Sequence, residues 1–346
     1  PSEQIGFRIH GESVAQTWLK ILQNILRYGR NKATRYTQEN ELKELLNIMA
    51  VVYSEDPGKP YLPHFFPFTE KDLLQYYPQV LTAKEIPGIA YTYGQRLRNH
   101  DGVDQIANII NLIKTRPFSK KMLAVTAKVK EDWGEVNKGD TPCLTQLLFS
   151  IQDGKLFLTT HFRSQDMVHG WPRNVFSLRK LQKYVSDESG VEMGAFVMIT
   201  HSAHIYSDDY ALVEKIVSEN YDKELGFTSR QLFAEDPRGN VVIEVEKVKQ
   251  PVRVGRPIKY AKLDKFAKSS YEIVVKLYAP NGGLLLKEWR GKTAMEIYIQ
   301  MVNIGNYIVD PSHLVYIGTE LQRAEYAIKS RQPEKFSQDP AANKKL

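Results

Sequence analysis

The chain of 346 residues contains a single cysteine, Cys143. One thiol excludes an intramolecular disulfide and every Cys-rich zinc site. With no disulfide framework, the expected setting is the reducing cytoplasm. No apolar run approaches the roughly 18 residues of a membrane-spanning helix, so no transmembrane segment is expected. Pro1 to His10 carries no apolar signal core, and secretion is not expected either. A glycine-rich phosphate loop, a His-Glu-x-x-His helix and a Gly-x-Ser-x-Gly elbow are all missing, which removes the commonest sequence-readable nucleoside-triphosphatase, metalloprotease and esterase classes. His161, His169, His201 and His204 follow no standard zinc spacing, and no metal site is expected.

What is present is an ordinary globular composition, 42% apolar and 25% charged. The net charge of +7 is unevenly placed. Residues 241–346 hold 18 Lys and Arg against 11 Asp and Glu, so residues 1–240 are neutral and the whole excess lies in the C-terminal third. Lys247, Lys249, Arg253, Arg256, Lys259, Lys262, Lys265 and Lys268 supply much of it. Few aromatics interleave with this run and no RNA-binding motif accompanies it. It reads as a solvated segment, and nucleic acid is not the expected partner.

Apolar spacing predicts helices over Glu41 to Ala50 (Leu42, Leu45, Leu46, Met49) and around Ile106, Ile109, Ile110 and Ile113. Lys121 to Lys128 reads as a strand. Leu144 to Ile151 and Lys155 to Phe162 read as a hairpin turned by Asp153-Gly154. A helix over Arg173 to Ser186 and a long strand over Ala195 to Tyr206 follow. A further helix starts at Asp208 and Asp209, with Leu212, Val213, Ile216 and Val217 inward. Helices and strands mix without regular βαβ alternation, so the expected class is α+β. A boundary near Asp236-Pro237-Arg238-Gly239-Asn240 divides the chain into domains 1–235 and 236–346. The second domain is a smaller α+β unit: a strand over Val241 to Val248, a hairpin over Tyr271 to Trp289 turned at Pro280 to Gly283, and helices over Thr293 to Asn303 and Pro311 to Lys329.

Cys143 stands just before the first strand of the 144–162 hairpin, and Arg163 just after its second strand. A thiolate is a soft nucleophile suited to an electron-poor C=C bond, and a neighbouring guanidinium favours it. Buried inert packing is the alternative for a lone Cys. Arg163 and Ser164 form a phosphate-type pair followed by the carboxylate of Asp166. Asn174 presents one donor and one acceptor, which matches a uracil edge, or else serves as a cap. His204 and Tyr206 point to one side of an extended chain and can meet sugar hydroxyls, or simply end a strand.

Taken together, Pro142-Cys143, Arg163-Ser164-x-Asp166, Gly170-x-Pro172-x-Asn174 and Ala203-His204-Ile205-Tyr206 resemble the thymidylate synthase family. Tyr91-Thr92-Tyr93-Gly94-Gln95-Arg96 looks like its Tyr-Gly block, and Asp104-Gln105-Ile106 and Arg116-Pro117-Phe118-Ser119-Lys120-Lys121 like the segments that follow. Glu44-Leu45-Leu46 looks like its Glu-Leu-Leu helix. These blocks run in order over about residues 27–220, and their wording is similar to the archaeal branch. The resemblance implies a mixed sheet with flanking helices that methylates C5 of a pyrimidine nucleoside monophosphate, dUMP above all. The one-carbon donor would be a reduced pterin, either 5,10-methylene-tetrahydrofolate or methylene-tetrahydromethanopterin. By the same resemblance Cys143 attacks C6, Arg163 and Ser164 hold phosphate, Asn174 reads the base, and His204 and Tyr206 hold the sugar. Asp166 and Gly170 meet the pterin, and Glu44 and Tyr93 order water and move protons. Arg30 and Arg35 are both candidates for the N-terminal phosphate ligand. Lys120 and Lys121 stand where a partner subunit's arginines reach the phosphate, which implies a homodimer with shared active sites.

Some wording departs from the family. Leu144 stands where many members have His, Phe162 where a Gln is common, and no Trp precedes the Tyr-Gly block. No closing C-terminal tail is recognisable, so water rather than hydride can complete the reaction, giving a 5-hydroxymethyl nucleotide from dUMP, dCMP or CMP. A scaffold that binds nucleotide or RNA without turnover is the remaining alternative. The C-terminal third resembles a domain found with pterin-related and synthase-like proteins of archaea and cyanobacteria. Asp236-Pro237-Arg238-Gly239, His313 to Leu321, Ala324-Glu325 and Gln338-Asp339 carry that likeness. His313 and Glu320 there read as helix packing.

Overall fold

The computed structural model describes residues 5–89, 91–133, 141–225, 239–248, 271–279, 284–301 and 311–338. The basic run from Lys249 to Lys268 and the turn at Pro280 to Gly283 lie outside them. Two compact units divide the chain, residues 1–227 and 228–346.

The first unit runs β1 (Arg8–Gly11), α1 (Val14–Tyr28), β2 (Arg30–Ala33), β3 (Glu41–Val52), α2 (Glu70–Tyr76), α3 (Pro78–Leu81), α4 (Tyr93–Arg98), α5 (Gln105–Thr115), β4 (Leu123–Val125), α6 (Val129–Trp133), β5 (Leu144–Gln152), β6 (Lys155–Asp166), α7 (Gly170–Ser189), β7 (Glu192–Tyr206) and α8 (Tyr210–Glu224). Its seven strands form one mixed sheet in the order β1-β3-β7-β6-β5-β4, with β2 paired to β3. β6 and β7 are parallel, connected through α7, while β5 and β6 are the antiparallel hairpin. Asp153 and Gly154 turn that hairpin at φ 51 and 75, the left-handed pair that suits the twist of two antiparallel strands. The core lies where α1 and α7 cover the sheet: Trp18, Leu22, Trp171, Phe176, Phe162 and Phe196 are fully buried. The Trp18 indole donates to the Met167 carbonyl at 2.6 Å, tying α1 to the end of β6.

The expected α+β class is what forms, but one predicted helix is a strand. Glu41–Val52 is β3, with β7 along one edge and β1 and β2 each paired to it along the other. Asn47 sits in the left-handed region at φ 59 and interrupts the alternation of the strand. Buried Leu45 and Ile48 consequently fall three apart and, with Leu42 buried on the other face of the strand, imitate a helical stripe. The expectation that Glu44 opens a Glu-Leu-Leu helix is corrected with it. The predicted strand over Lys121 to Lys128 shrinks to the three residues of β4. On α8, Val213, Ile216 and Val217 are buried as predicted, but Leu212 is 38% exposed.

The second unit is a three-stranded antiparallel sheet, β10-β9-β8, from β8 (Asn240–Lys247), β9 (Tyr271–Tyr278) and β10 (Leu285–Gly291). α9 (Ala294–Gln300) and α10 (Pro311–Lys329) contribute to its core, where Ile243, Ile273, Val275, Leu277, Trp289, Ile297 and Leu321 meet. Glu320 is buried against Arg323, 2.5 Å away, and His313 is buried in the same helix.

Candidate active site

The hairpin fixes the first two parts of the site. Cys143 is half-buried at the head of β5, and the Arg163 backbone N–H donates to its carbonyl at 2.9 Å. The Arg163 guanidinium then closes on the same segment, Nε donating to the Pro142 carbonyl at 3.1 Å and Nη2 to the Thr141 carbonyl at 2.7 Å. A guanidinium has five N–H groups, so two clamped donors leave three for an anion. Arg163 is exposed, which leaves those donors accessible.

Tyrosines wall the cysteine. Tyr93 begins α4, whose N-terminus Thr92 and Gln95 close with a capping box. The Tyr93 ring packs edge-on against Phe162 at 6.1 Å. Burial pushes its hydroxyl well above the usual phenol range, and negative charge on Cys143 would push it further. Gly94 behind it is needed for close approach: a Cβ there would lie 2.1 Å from the Thr82 carbonyl oxygen. Tyr76, at the end of α2, is pushed up to about 12 by burial and also lies within reach of the Cys143 charge. Its hydroxyl donates to Asn174 Oδ1 at 2.7 Å. Asn174 is 5% exposed, in the first turns of α7.

A polar row crosses the ends of three strands. Glu44, His204 and Asp166 occupy one register on β3, β7 and β6, and Arg30 of β2 extends it opposite Glu44. Ser202 donates to Glu44 Oε1 at 2.5 Å, and Lys32 pairs with Glu44 at 3.0 Å. Burial pushes the Glu44 carboxyl up, but these two partners outweigh it and hold it below the ordinary value. Burial lowers His204 below the ordinary imidazole value, against the pull of the Asp166 and Glu44 charges. The His204 and Tyr206 rings touch edge to face at 4.8 Å. Asp166 Oδ1 accepts from the Val168 N–H at 2.7 Å and the His169 N–H at 3.3 Å, which forms the turn into α7. At Gly170, a Cβ would meet only Asp166 and Gln165 atoms at 3.7–3.9 Å, ordinary contact. Ser164 lies half-buried on β6, opposite Ser202.

The structure thus brings together Cys143, Arg163, Ser164, Asp166, Asn174, Tyr93, His204, Tyr206 and Glu44 around the C-terminal ends of β6 and β7. Arg35 lies exposed in the bend after β2; its neighbour Tyr36 is close enough to act on the Tyr206 hydroxyl. Lys120 and Lys121 are exposed in the loop between α5 and β4, beside Phe118. Sequence reasoning missed Tyr76, Lys32 and Ser202. The signal for Tyr76 was Asp72-Leu73-Leu74, an acidic-Leu-Leu helix one turn before it, passed over for Glu44-Leu45-Leu46. A cleft of about 810 Å³ along Gly58 to Asp72 includes none of the site residues, though Phe68 on its wall lies under the Arg173 guanidinium at 4.6 Å.

Comparison with known proteins adds two family matches. Residues 72–234 match a family model described as thymidylate synthase, and residues 235–339 one described as PterinBD-DUF4346. Glu44, Arg30 and Arg35 precede the first match. A protein of Methanosarcina barkeri, provisionally named thymidylate synthase, is 36% identical over 217 residues, which is 62% of this chain and 96% of that protein. Its namesake in Methanosarcina mazei is 36% identical over 215 residues, 62% of this chain and 96% of that protein. The one in Methanothermobacter thermautotrophicus is 29% identical over 227 residues, covering 62% and 99%. Among the described residues, no helix is long and apolar enough to cross a membrane.

Proposed function

Since the chain belongs to the thymidylate synthase family, a one-carbon transfer to C5 of a pyrimidine is its general chemistry, and we propose that it converts dUMP to dTMP through a Cys143 adduct. The observation that supports this reading is the grouping around one half-buried thiol of an exposed guanidinium, a buried carboxamide and the His204–Tyr206 pair. In this reading residues 1–235 are the catalytic domain and 236–346 an appended domain whose role is unassigned.

Phosphate binds the three unclamped N–H groups of Arg163 together with the Ser164 hydroxyl. Arg163 serves a second purpose, as positive charge beside the sulfur that attacks C6. The attack forms the S–C6 bond and moves the C5–C6 π electrons to C5, with negative charge spread onto O4. Tyr93 stays protonated and acts as a hydrogen-bond donor next to the nucleophile. His204, held neutral, and Tyr206 take the sugar hydroxyl. Glu44 was expected to move protons. Its ionised carboxylate, occupied by Ser202 and Lys32, supports instead a role in positioning the sugar end of the site. Arg30, opposite Glu44, is the better placed N-terminal phosphate ligand, and Arg35 the second.

The residues present fit a reduced pterin: Gly170 leaves a space that a Cβ would fill, beside the Asp166 carboxylate. A methylene-tetrahydropterin, folate or methanopterin, supplies the one-carbon unit when bound. Asp166 and Gly170 orient it against the pyrimidine. Lys120 and Lys121 complete the phosphate site from the partner of a homodimer. A cytoplasmic setting, which keeps Cys143 reduced, belongs to the same reading.

The second reading is 5-hydroxymethylation of the same position, in which water rather than hydride completes the reaction at the one-carbon unit. Nucleotide carrying tritium at C5 tests the shared first steps. Tritium release with dUMP and methylene-pterin is expected, and its absence with every uridylate and cytidylate would sink both readings. Product mass then separates methyl from hydroxymethyl.

A further inference from the structure

The Tyr76–Asn174 hydrogen bond joins two helices, α2 and α7, inside the site, and no role has been given to the tyrosine. A carboxamide can turn either face to a base. With its NH2 toward the base it donates to the C4 carbonyl of uracil, and with its oxygen there it accepts from the C4 amino group of cytosine. Asn174 alone therefore does not choose. What surrounds it does. Tyr76 is half-buried, desolvation raises its hydroxyl to about 12 so that it stays protonated across neutral pH, and its bond to Asn174 Oδ1 is the only one that hydroxyl makes among the described residues. The flipped amide would present NH2 to the phenol and leave the Tyr76 proton without a protein acceptor, which disfavours that orientation by about tenfold or more. With Oδ1 facing Tyr76, the amide NH2 has no protein partner among the described residues and is left for a ligand.

We infer that Tyr76 is the positioning residue for base selection: it locks the Asn174 amide in the orientation that accepts uracil and rejects cytosine. The inference rests on Asn174 being the group that faces the pyrimidine base. It does not depend on what happens at C5. Other places in the molecule carry less. The exposed stripe of Met295, Tyr298 and Ile299 on α9 has nothing to say what covers it, and the ion-pair network of Arg290 with Glu246, Glu272 and Glu288 is satisfied within itself.

Calorimetric binding of dUMP and dCMP to the full chain tests it, with the parent compared to Tyr76→Phe and Asn174→Asp. The parent should prefer dUMP. Tyr76→Phe keeps the ring and loses only the hydroxyl, so the dUMP-over-dCMP ratio should fall about tenfold or more as the amide becomes able to flip. A merely structural tyrosine would weaken both nucleotides alike, and an unchanged ratio in Tyr76→Phe would overturn the inference. So would a parent without base preference. Asn174→Asp should shift the preference toward dCMP; if it does not, the placement of Asn174 at the base fails, and the inference fails with it. Failure of the C5 chemistry is a separate result, seen as absent tritium release from a protein whose base preference is intact.

Discussion

Arg163 spends two of its donors on the backbone carbonyls just before Cys143 and keeps the rest for an anion, so one side chain links the nucleophile to the substrate's phosphate. Lysine keeps the charge but has no fork to do both. Arg163→Lys should lower kcat/KM roughly 10–100-fold, as loss of a charge-assisted pair does, with KM carrying most of the change in a tritium-release assay. Removing the nucleophile is more severe. Cys143→Ser should cost roughly three orders of magnitude or more in turnover while nucleotide binding survives; turnover near the parent's would mean that no adduct forms. At the other end of the site, burial has lowered the proton affinity of His204 in the folded state. A native imidazole that binds protons more weakly than the unfolded one contributes its stability in full above the unfolded value of 6.5, and that contribution is lost as pH falls below it. Glu44, also lowered, loses its contribution only further down, below its ordinary 4.5. Melting temperature followed from pH 7.5 to 5.5 should therefore fall less steeply in His204→Asn than in the parent. Equal slopes would remove His204 from the acid response.

At the scale of elements, the turns and caps were easier to read than the strands. Asp153-Gly154 announced its hairpin, because only residues that accept a left-handed backbone suit that turn. The α5 stripe of Ile106, Ile109, Ile110 and Ile113 announced a helix, and all four are buried. β3 was misread because a single left-handed residue, Asn47, shifts the inward positions of a strand onto helical spacing. Only pairing with β7 on one side and β1 and β2 on the other identifies it, and that information is not local. The same limit hid the Tyr76–Asn174 contact, whose two partners are 98 residues apart in the chain. Cys143, Arg163 and Asn174 were legible because the hairpin and the β6–α7 connection keep them close in sequence as well as in space. Gly94 shows how a motif residue can serve an element rather than the chemistry. Gly94→Ala drives a Cβ into the Thr82 carbonyl and pushes α4 off α3. It should cost about 1–3 kcal/mol in urea unfolding and displace Tyr93, whereas Gly170→Ala, with room at 3.7 Å, should unfold like the parent.

For the molecule as a whole, the sheet of the first unit poses a question of cover. One row crosses it through Leu123, Leu148, Thr159 and Val197, and the next through His161, Ile199 and Met49. Leu123 and Met49 are exposed and the others between only half-buried. A broad, partly apolar sheet face of this kind is the sort of surface that a second copy covers in a two-fold dimer. The exposed loop bearing Lys120 and Lys121 supplies a reason for pairing, since it would bring two further cations to a phosphate held by Arg163 and Arg30. If the lysines act across the interface, each active site takes its sulfur from one protomer and its lysines from the other. Lys120→Ala with Lys121→Ala in one chain, and Cys143→Ser in another, should each be nearly inactive alone. Mixed after reversible unfolding, half the dimers are mixed, and each has one intact site, so about a quarter of parental activity should return. Recovery of that size measures both the dimer and the crossing of its sites. No recovery, with mixed dimers demonstrated by mass, would place the lysines in the same protomer as their own Cys143.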